Sequence, residues 1–346
     1  MQIFDTHGYL DIRVVRDAGY PFTFVIGGRG TGKTYGALRT SIEDGRIFAF
    51  MRRRQTQADM ISKPEFSPLR PVCADTGWTI TTRPIVKGIS GFYQYRTEAN
   101  KTILEGEPLG YILALSTLAN VRGFDGSRIQ LLLYDEFLPE RGERCLPSEA
   151  DTLLNAYETI NRNRELAGEP ALQLLALANA NDLSASILVQ LGLIRQLDRM
   201  STKGRQMWTD DKRGIMLIML RDSPISAAKA DTALYRLTDG SDFAGMALAN
   251  EFAYEDRSGV GSRPLGEYKP LVSIGDLTIY AHKSRREYYA TRHRSGGGRE
   301  YGTTELQRTK FRTDFGWLYR ELMCDRVISE DYPSKVLLRQ YLTNIT

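Results

Sequence analysis

The stretch Gly27-Gly28-Arg29-Gly30-Thr31-Gly32-Lys33-Thr34 decides the reading of this chain of 346 residues. It fits the pattern G-x-x-x-x-G-K-[ST]. It follows the apolar run Phe22-Thr23-Phe24-Val25-Ile26 and precedes the helix-compatible Tyr35-Gly36-Ala37-Leu38-Arg39, which is the strand, loop and helix setting the pattern needs. Glycines let consecutive backbone N–H groups turn inward around a polyphosphate, and the helix N-terminus adds its positive end. Gly28, Arg29, Gly30, Thr31 and Gly32 are therefore expected to cradle ATP or GTP. Lys33 would reach the β- and γ-phosphates, and the Thr34 hydroxyl would hold Mg²⁺. The alternative is a Gly-rich turn that binds nothing, and the flanking strand and helix weigh against it.

Short apolar runs surround the loop. The run at 46–51 reads as a second buried strand, and those at 78–82 and 91–96 alternate with period two, as antiparallel strands do. The runs at 111–115, 129–134 and 172–178 are apolar on both faces, which suits a parallel sheet covered by helices. Between the last two, Ser148-Glu149-Ala150-Asp151 after Pro147 resembles a capping box. Leu153, Leu154, Tyr157 and Ile160 then mark one helical face, and Gly168 and Pro170 end it. The first half thus reads as a doubly wound α/β domain.

From 201 to about 252 the character changes, and this stretch reads as a linker or small helical subdomain, with helix from 227 to about 237. A loop at 256–264 follows. The segments 269–274 and 277–282 flank Gly275-Asp276 as a hairpin, 287–291 is a third strand, and the tail at 315–341 reads as helical. The expected division is 1–200 for the nucleotide domain, 201–257 for the linker, and 258–346 for a C-terminal domain.

No stretch of about 18 apolar residues is present, so no membrane span is expected. Met1-Gln2-Ile3-Phe4-Asp5 has no secretory signature. Cys73, Cys145 and Cys324 are scattered and odd in number, as reduced thiols of a cytosolic protein would be. Residues 261–346 hold 15 Lys and Arg against 10 Asp and Glu, whereas the preceding 260 hold 31 against 32. The basic excess is C-terminal, which fits either an anionic partner or a solvated face.

Five further constellations carry chemistry. Asp135-Glu136 ends the apolar run at 129–134, at the strand edge where ligands bind in open α/β sheets. Asp135 would enter the Mg²⁺ shell beside Thr34, and Glu136 would act as the base that polarises the attacking water. Arg162-Asn163-Arg164-Glu165 ends the helix. One arginine could be held by Glu165 or a core acid while the other projects, or both could simply complement the helix dipole. Asn179-Ala180-Asn181 follows the strand at 172–178, placing an amide for the γ-phosphate or for a turn. Arg52-Arg53-Arg54 sits on the same sheet edge. Lys283, Arg285, Arg286, Arg292 and Arg294 interleave with Tyr280, Tyr288 and Tyr289, a composition able to follow a phosphate backbone.

The segments FVIGGRGTGKT (24–34), LLLYDEF (131–137), NRNRE (161–165) and LANA (177–180) resemble, in order and spacing, the DNA encapsidation (packaging) ATPases of small tailed podophages. A weaker likeness continues through LYRLTDGSDFAGMALANEF (234–252). The resemblance implies a P-loop NTPase domain of the ASCE, RecA-like type, a small helical linker, and a C-terminal α+β domain like RNase H that has lost its catalytic acids. It implies an ATP-driven motor, without nuclease activity, that translocates double-stranded DNA into a procapsid in the cytoplasm of the infected host. Its partners would be DNA, further copies of the chain in a pentameric ring, the portal (connector), and as an additional candidate a structural RNA. Arg162 matches the family's trans-acting arginine finger, with Arg164 as its neighbour. Arg122 falls where a second basic residue reaches the neighbouring site. Asn179 matches the family's strand-end Asn, with Ala178 replacing a Ser. Other readings are a helicase-like P-loop translocase, a small-molecule kinase, or a nucleotide-gated binding protein; the adjacent Glu136 favours water as the acceptor.

Overall fold

The computed structural model describes residues 3–118, 124–140, 143, 146, 148–180, 185–221, 223–241, 244 and 256–343. The chain forms two compact units, Met1–Ile187 with Arg199–Tyr254, and Leu188–Asp198 with Glu255–Thr346. Among the described residues no helix is long and apolar enough to cross a membrane.

The first unit is built on strands β1 (Phe22–Gly27), β2 (Phe48–Arg52), β3 (Ile80–Val86), β4 (Ile89–Glu98), β5 (Lys101–Ala114), β6 (Leu131–Asp135), β7 (Gln173–Ala178), β8 (Met207–Asp210) and β9 (Ile215–Leu220). They form one sheet in the order β3-β4-β5-β2-β6-β7-β1-β9-β8. The six strands from β5 to β9 in that order are all parallel. Residues apolar on both faces make this possible: Phe48, Phe50, Leu132, Leu133, Tyr134, Ile218 and Leu220 are all inaccessible to solvent, as strands covered by helices require. Antiparallel β3–β4 and β8 finish the two edges.

The second unit holds β10 (Tyr268–Ile274), β11 (Leu277–His282), β12 (Tyr288–Thr291), β13 (Arg299–Tyr301) and β14 (Val327–Ser329), in the order β13-β10-β11-β12-β14. Its core gathers Val272, Ile274, Leu277 and Ile279 with Phe311, Phe315, Leu318 and Leu338 from the helices Glu305–Phe315, Trp317–Met323 and Tyr332–Leu342.

Three expectations are corrected. Ile215–Leu220 lies within the stretch read as a linker or helical subdomain, yet forms β9 beside β1, with Gly27 opposite Leu220. Its run of six apolar residues was the overlooked signal. The tail read as helical is interrupted at Val327–Ser329, where β14 pairs with β12. Ser148 does not cap its helix through its side chain. It sits in the left-handed region (φ 48°, ψ 45°), which turns its hydroxyl away from the N–H groups a capping box would satisfy.

The start of that helix, Glu149–Asn161, is fixed instead by a buried polar cluster. Glu149 is 1% exposed and accepts from Arg53 Nε at 2.7 Å and from the Tyr134 hydroxyl at 2.7 Å. Arg53, also 1% exposed, reaches Glu143 at 2.9 Å and donates to the carbonyls of Glu136 (3.3 Å) and Phe137 (2.6 Å). One guanidinium thus ties the ends of β2 and β6 to the helix. Removing one partner strands a buried charge, so we expect Glu149→Ala to lower unfolding free energy by about 3–5 kcal/mol. Urea melts check this, and a loss below about 1 kcal/mol, the worth of a surface pair, would contradict the brace.

Candidate active site

Parallel pairing brings the C-terminal ends of β1, β7, β6 and β2 to one sheet edge. β1 runs straight into the phosphate loop, and Gly32 (φ 84°) starts the helix Lys33–Glu43 in the left-handed conformation glycine favours. Tyr9 packs against Gly32, and the Leu10 N–H donates to the Thr31 carbonyl at 3.0 Å. The loop is therefore backed by the segment that precedes β1.

Lys33 is 7% exposed and folds along the loop, donating to the carbonyls of Gly27 (3.0 Å) and Gly28 (2.7 Å). It also lies 3.4 Å from Asn179 Oδ1, the residue just past β7. Burial pushes the Lys33 ammonium down to about 8, with Asp135 pulling upward and Lys229 and Arg29 adding to the drop. The Thr34 hydroxyl donates to Asp135 Oδ1 at 3.0 Å. That bond spans the intervening β7, because β6 is not adjacent to β1 in the sheet.

Asp135 is 4% exposed, and its other oxygen forms an ion pair with Arg52 Nη2 at 2.9 Å. The second terminal nitrogen of Arg52 pairs with Glu136. Glu136 itself has φ 58°, a left-handed conformation that carries strain for a non-glycine residue. The strain persists because its neighbourhood is over-determined: Arg53 holds its carbonyl, and the Phe137 N–H donates to Leu177 O at 3.1 Å. Partial burial raises the Glu136 pKa above its ordinary value; Arg52 opposes the rise and Asp135 adds to it.

Lys33, Thr34, Asp135, Glu136 and Asn179 are thus brought together. The donor set fits Mg²⁺, a hard cation that takes one hydroxyl, one carboxylate and substrate phosphates, and Thr34 with Asp135 supply the first two. Arg162 is not part of this group. It ends the helix Glu149–Asn161 with φ 51° and ψ −133°, is 54% exposed at its side chain, and pairs with Asp125 at 3.4 Å. Arg164 is held instead, donating to the carbonyls of Gly126 (3.3 Å) and Ser127. Glu165 contacts Asn161 rather than either arginine. Arg122 and Asn181 lie outside the described residues, as do Cys145 and Pro147.

The Arg52-Arg53-Arg54 cluster is not an open basic surface, since Arg52 and Arg53 are consumed by acids of the site and its brace. The strand that ends in Arg52 puts the cluster on this sheet edge as expected, and only the fold pairs it with acids far along the chain. Arg29 pairs with Glu140, and Lys229 donates to the Arg29 carbonyl at 2.7 Å, a contact with no sequence signal. In the C-terminal unit, Tyr280 and Tyr289 are buried, while Tyr288 is half-buried against Trp317. Lys283 and Arg294 donate to the carbonyls of Gly266 and Gly275, Arg286 binds Glu321, and Arg285 lies 3.8 Å from Glu267.

Comparison with known proteins matches this arrangement to a family. The DNA packaging protein of Bacillus phage B103 is 24% identical over 235 residues, covering 66% of this chain and 63% of that protein. The DNA packaging protein of Bacillus phage phi29 is 26% identical over 235 residues, covering 66% of this chain and 61% of that protein. The chain thus spans about three-fifths of the length of these curated relatives. Two solved structures share the fold. The Phi-28 gp11 DNA packaging motor aligns with a TM-score of 0.65 at 18% identity over 98% of both chains. The bacteriophage Phi-29 viral genome packaging motor assembly aligns with a TM-score of 0.66 at 17% identity over 99% of this chain and 100% of that one. The profile of the podovirus DNA encapsidation protein (Gp16) family matches residues 86–268, and the chain belongs to that family.

Proposed function

We propose that this protein is an ATP-hydrolysing subunit of a ring motor that drives double-stranded DNA into a procapsid. The observation that carries the reading is the convergence of Lys33, Thr34, Asp135, Glu136 and Asn179 on one sheet edge while Arg162 is presented away from it. The relatives' role as DNA packaging proteins supports the substrate and the procapsid setting. The partners in this reading are DNA, the portal, further copies of the chain in a pentamer, and the host cytoplasm as the place of work. The C-terminal unit takes the DNA- or portal-contacting role, as an RNase H-like domain without nuclease activity. In support of that last point, Asp276 is exposed in the turn between β10 and β11 rather than gathered with other acids.

The chemistry follows from the residues. Gly28 to Gly32 cradle the polyphosphate and Lys33 neutralises its outer oxygens. Thr34 and Asp135 would hold Mg²⁺, which would offset the negative charge of the polyphosphate. Glu136 accepts a proton from water as that oxygen bonds to the γ-phosphorus and the bond to the ADP oxygen breaks. Its raised pKa suits a base that works against a phosphate. Arg52 restrains Glu136 through an ion pair. Asn179 orients water or γ-phosphate. Charge on the transition state is completed in trans by Arg162 of the adjacent copy, with Arg122 as a second basic group. The exposure of Arg162 and the tethering of Arg164 support Arg162 as the finger.

We expect Glu136→Gln to bind ATP normally and to lose at least roughly 100-fold in hydrolysis rate, measured by phosphate release. Comparable rates for the variant and the wild type would exclude Glu136 as the base. Arg162→Ala and Lys33→Ala, each inactive alone, should regain activity when mixed, because intact finger and intact pocket then meet across an interface. Full-rate hydrolysis by an isolated monomer would exclude the trans arrangement.

Lys33 gives a pH signature. Phosphate beside it raises its pKa from about 8 in the free loop, so binding takes up protons above that pH. ATP affinity should therefore be flat just below pH 8 and fall by up to about tenfold per pH unit above it. Lys33→Arg removes this dependence. An affinity independent of pH between 8 and 9.5 would show that Lys33 is not the phosphate contact.

A further inference from the structure

Lys229 lies on the short helix Pro224–Ala230, far along the chain from the phosphate loop, yet its ammonium donates to the Arg29 carbonyl at 2.7 Å. The helix is held there by its own start. The Ser223 hydroxyl is buried and donates to Gly8 O at 3.0 Å, and Pro224 packs on Gly8 so closely that a Cβ at that glycine would lie 2.7 Å from the proline's. Gly8 belongs to the same N-terminal segment that backs the loop through Leu10 and Thr31. A Cβ on Gly30 would collide with the Lys229 ammonium, so the glycine makes room for this lysine as well as for the loop's turn.

Three cations meet at the loop, and among the described residues only one has an acidic ion-pair partner. Arg29 is drawn off by Glu140. Lys33 and Lys229 each rest on loop carbonyls, Lys33 on Gly27 and Gly28, Lys229 on Arg29. Among the described residues Lys229 forms no salt bridge with an acid. Burial lowers its pKa, and its charge in turn contributes to the lowered pKa of Lys33. Two ammonium groups docked side by side on the same short loop repel each other. An anion between them removes that cost, which is the electrostatic setting of a phosphate site.

We propose that Lys229 is a second phosphate-binding lysine, whose ammonium exchanges the Arg29 carbonyl for an oxygen of the bound nucleotide's terminal phosphates. This rests on the nucleotide-binding reading of the loop. Lys229 then couples the segment after β9 to nucleotide occupancy, since the helix that bears it follows that strand directly.

The test is titration of wild type, Lys229→Gln and Lys229→Arg with a fluorescent ATP analogue, beside amine acylation of the wild type mapped by mass spectrometry with and without ATP. Lys229→Gln should weaken ATP roughly tenfold, the worth of one charge-assisted hydrogen bond, and Lys229→Arg should stay close to wild type. ATP should shield Lys229 from acylation, with half-protection at the wild-type Kd. Wild-type affinity in Lys229→Gln, or equal acylation of Lys229 with saturating ATP, overturns the proposal and leaves the nucleotide reading intact. Should Lys229→Gln fold poorly, the acylation of the wild type decides. Failure of the wild type to bind ATP at all overturns both.

Discussion

Parallel pairing of β2, β6, β7 and β1 is the constraint on which the rest of the first unit depends. Strands that share a direction end on the same edge, so Arg52, Asp135, Asn179 and the phosphate loop are delivered to one place by hydrogen-bond register alone. β7 lies between the acid strand and the loop strand. That spacing sets the distance across which the Thr34 hydroxyl meets Asp135, and puts Asn179 within reach of Lys33. A shift of one residue in β6 would turn Asp135 to the opposite face and dismantle the site. The buried apolar strand residues hold the register against such slips.

The charges at this edge are interlocked. Arg52 is divided between Asp135 and Glu136, Lys33 lies on loop carbonyls, and Arg53 braces the strained turn at Glu136 from behind. The helix that begins at that brace runs for 13 residues, roughly 20 Å at the usual rise, and ends at Arg162. One end of the helix is therefore anchored through Glu149 to Arg53 and Tyr134. The other presents a half-exposed cation in a strained backbone conformation. In the proposed function, a base held by Arg52 and an arginine paired with Asp125 instead of the site's acids are what make this edge half of an interface.

Much of this was legible in the residues. The G-x-x-x-x-G-K-[ST] loop, the apolar run ending in Asp135-Glu136, and the strand before Asn179 all occupy the elements expected of them, because buried parallel strands and glycine turns are local signals. The hairpin around Gly275-Asp276 was legible for the same reason. What escaped was long-range. Arg52 and Arg53 read as a basic cluster, since nothing local shows that the acids paired with them stand some 80 to 100 residues later. Lys229 sits in a mixed segment with no motif, and only the fold returns it to the loop. β9 escaped because turn residues and charges on both sides masked a run of six apolar residues, Ile215–Leu220. The tyrosines of the C-terminal unit read as surface partners for cations, whereas Tyr280 and Tyr289 are buried with Tyr268 in a small cluster of their own.

In the proposed function, hydrolysis at this edge is completed by assembly and used on DNA. The most direct measurement is the rate of ATP hydrolysis by the purified protein alone, with empty procapsids, and with procapsids plus double-stranded DNA. The account predicts slow hydrolysis alone and a large rise only when procapsids and DNA are both present. An equal rate in all three conditions would contradict it.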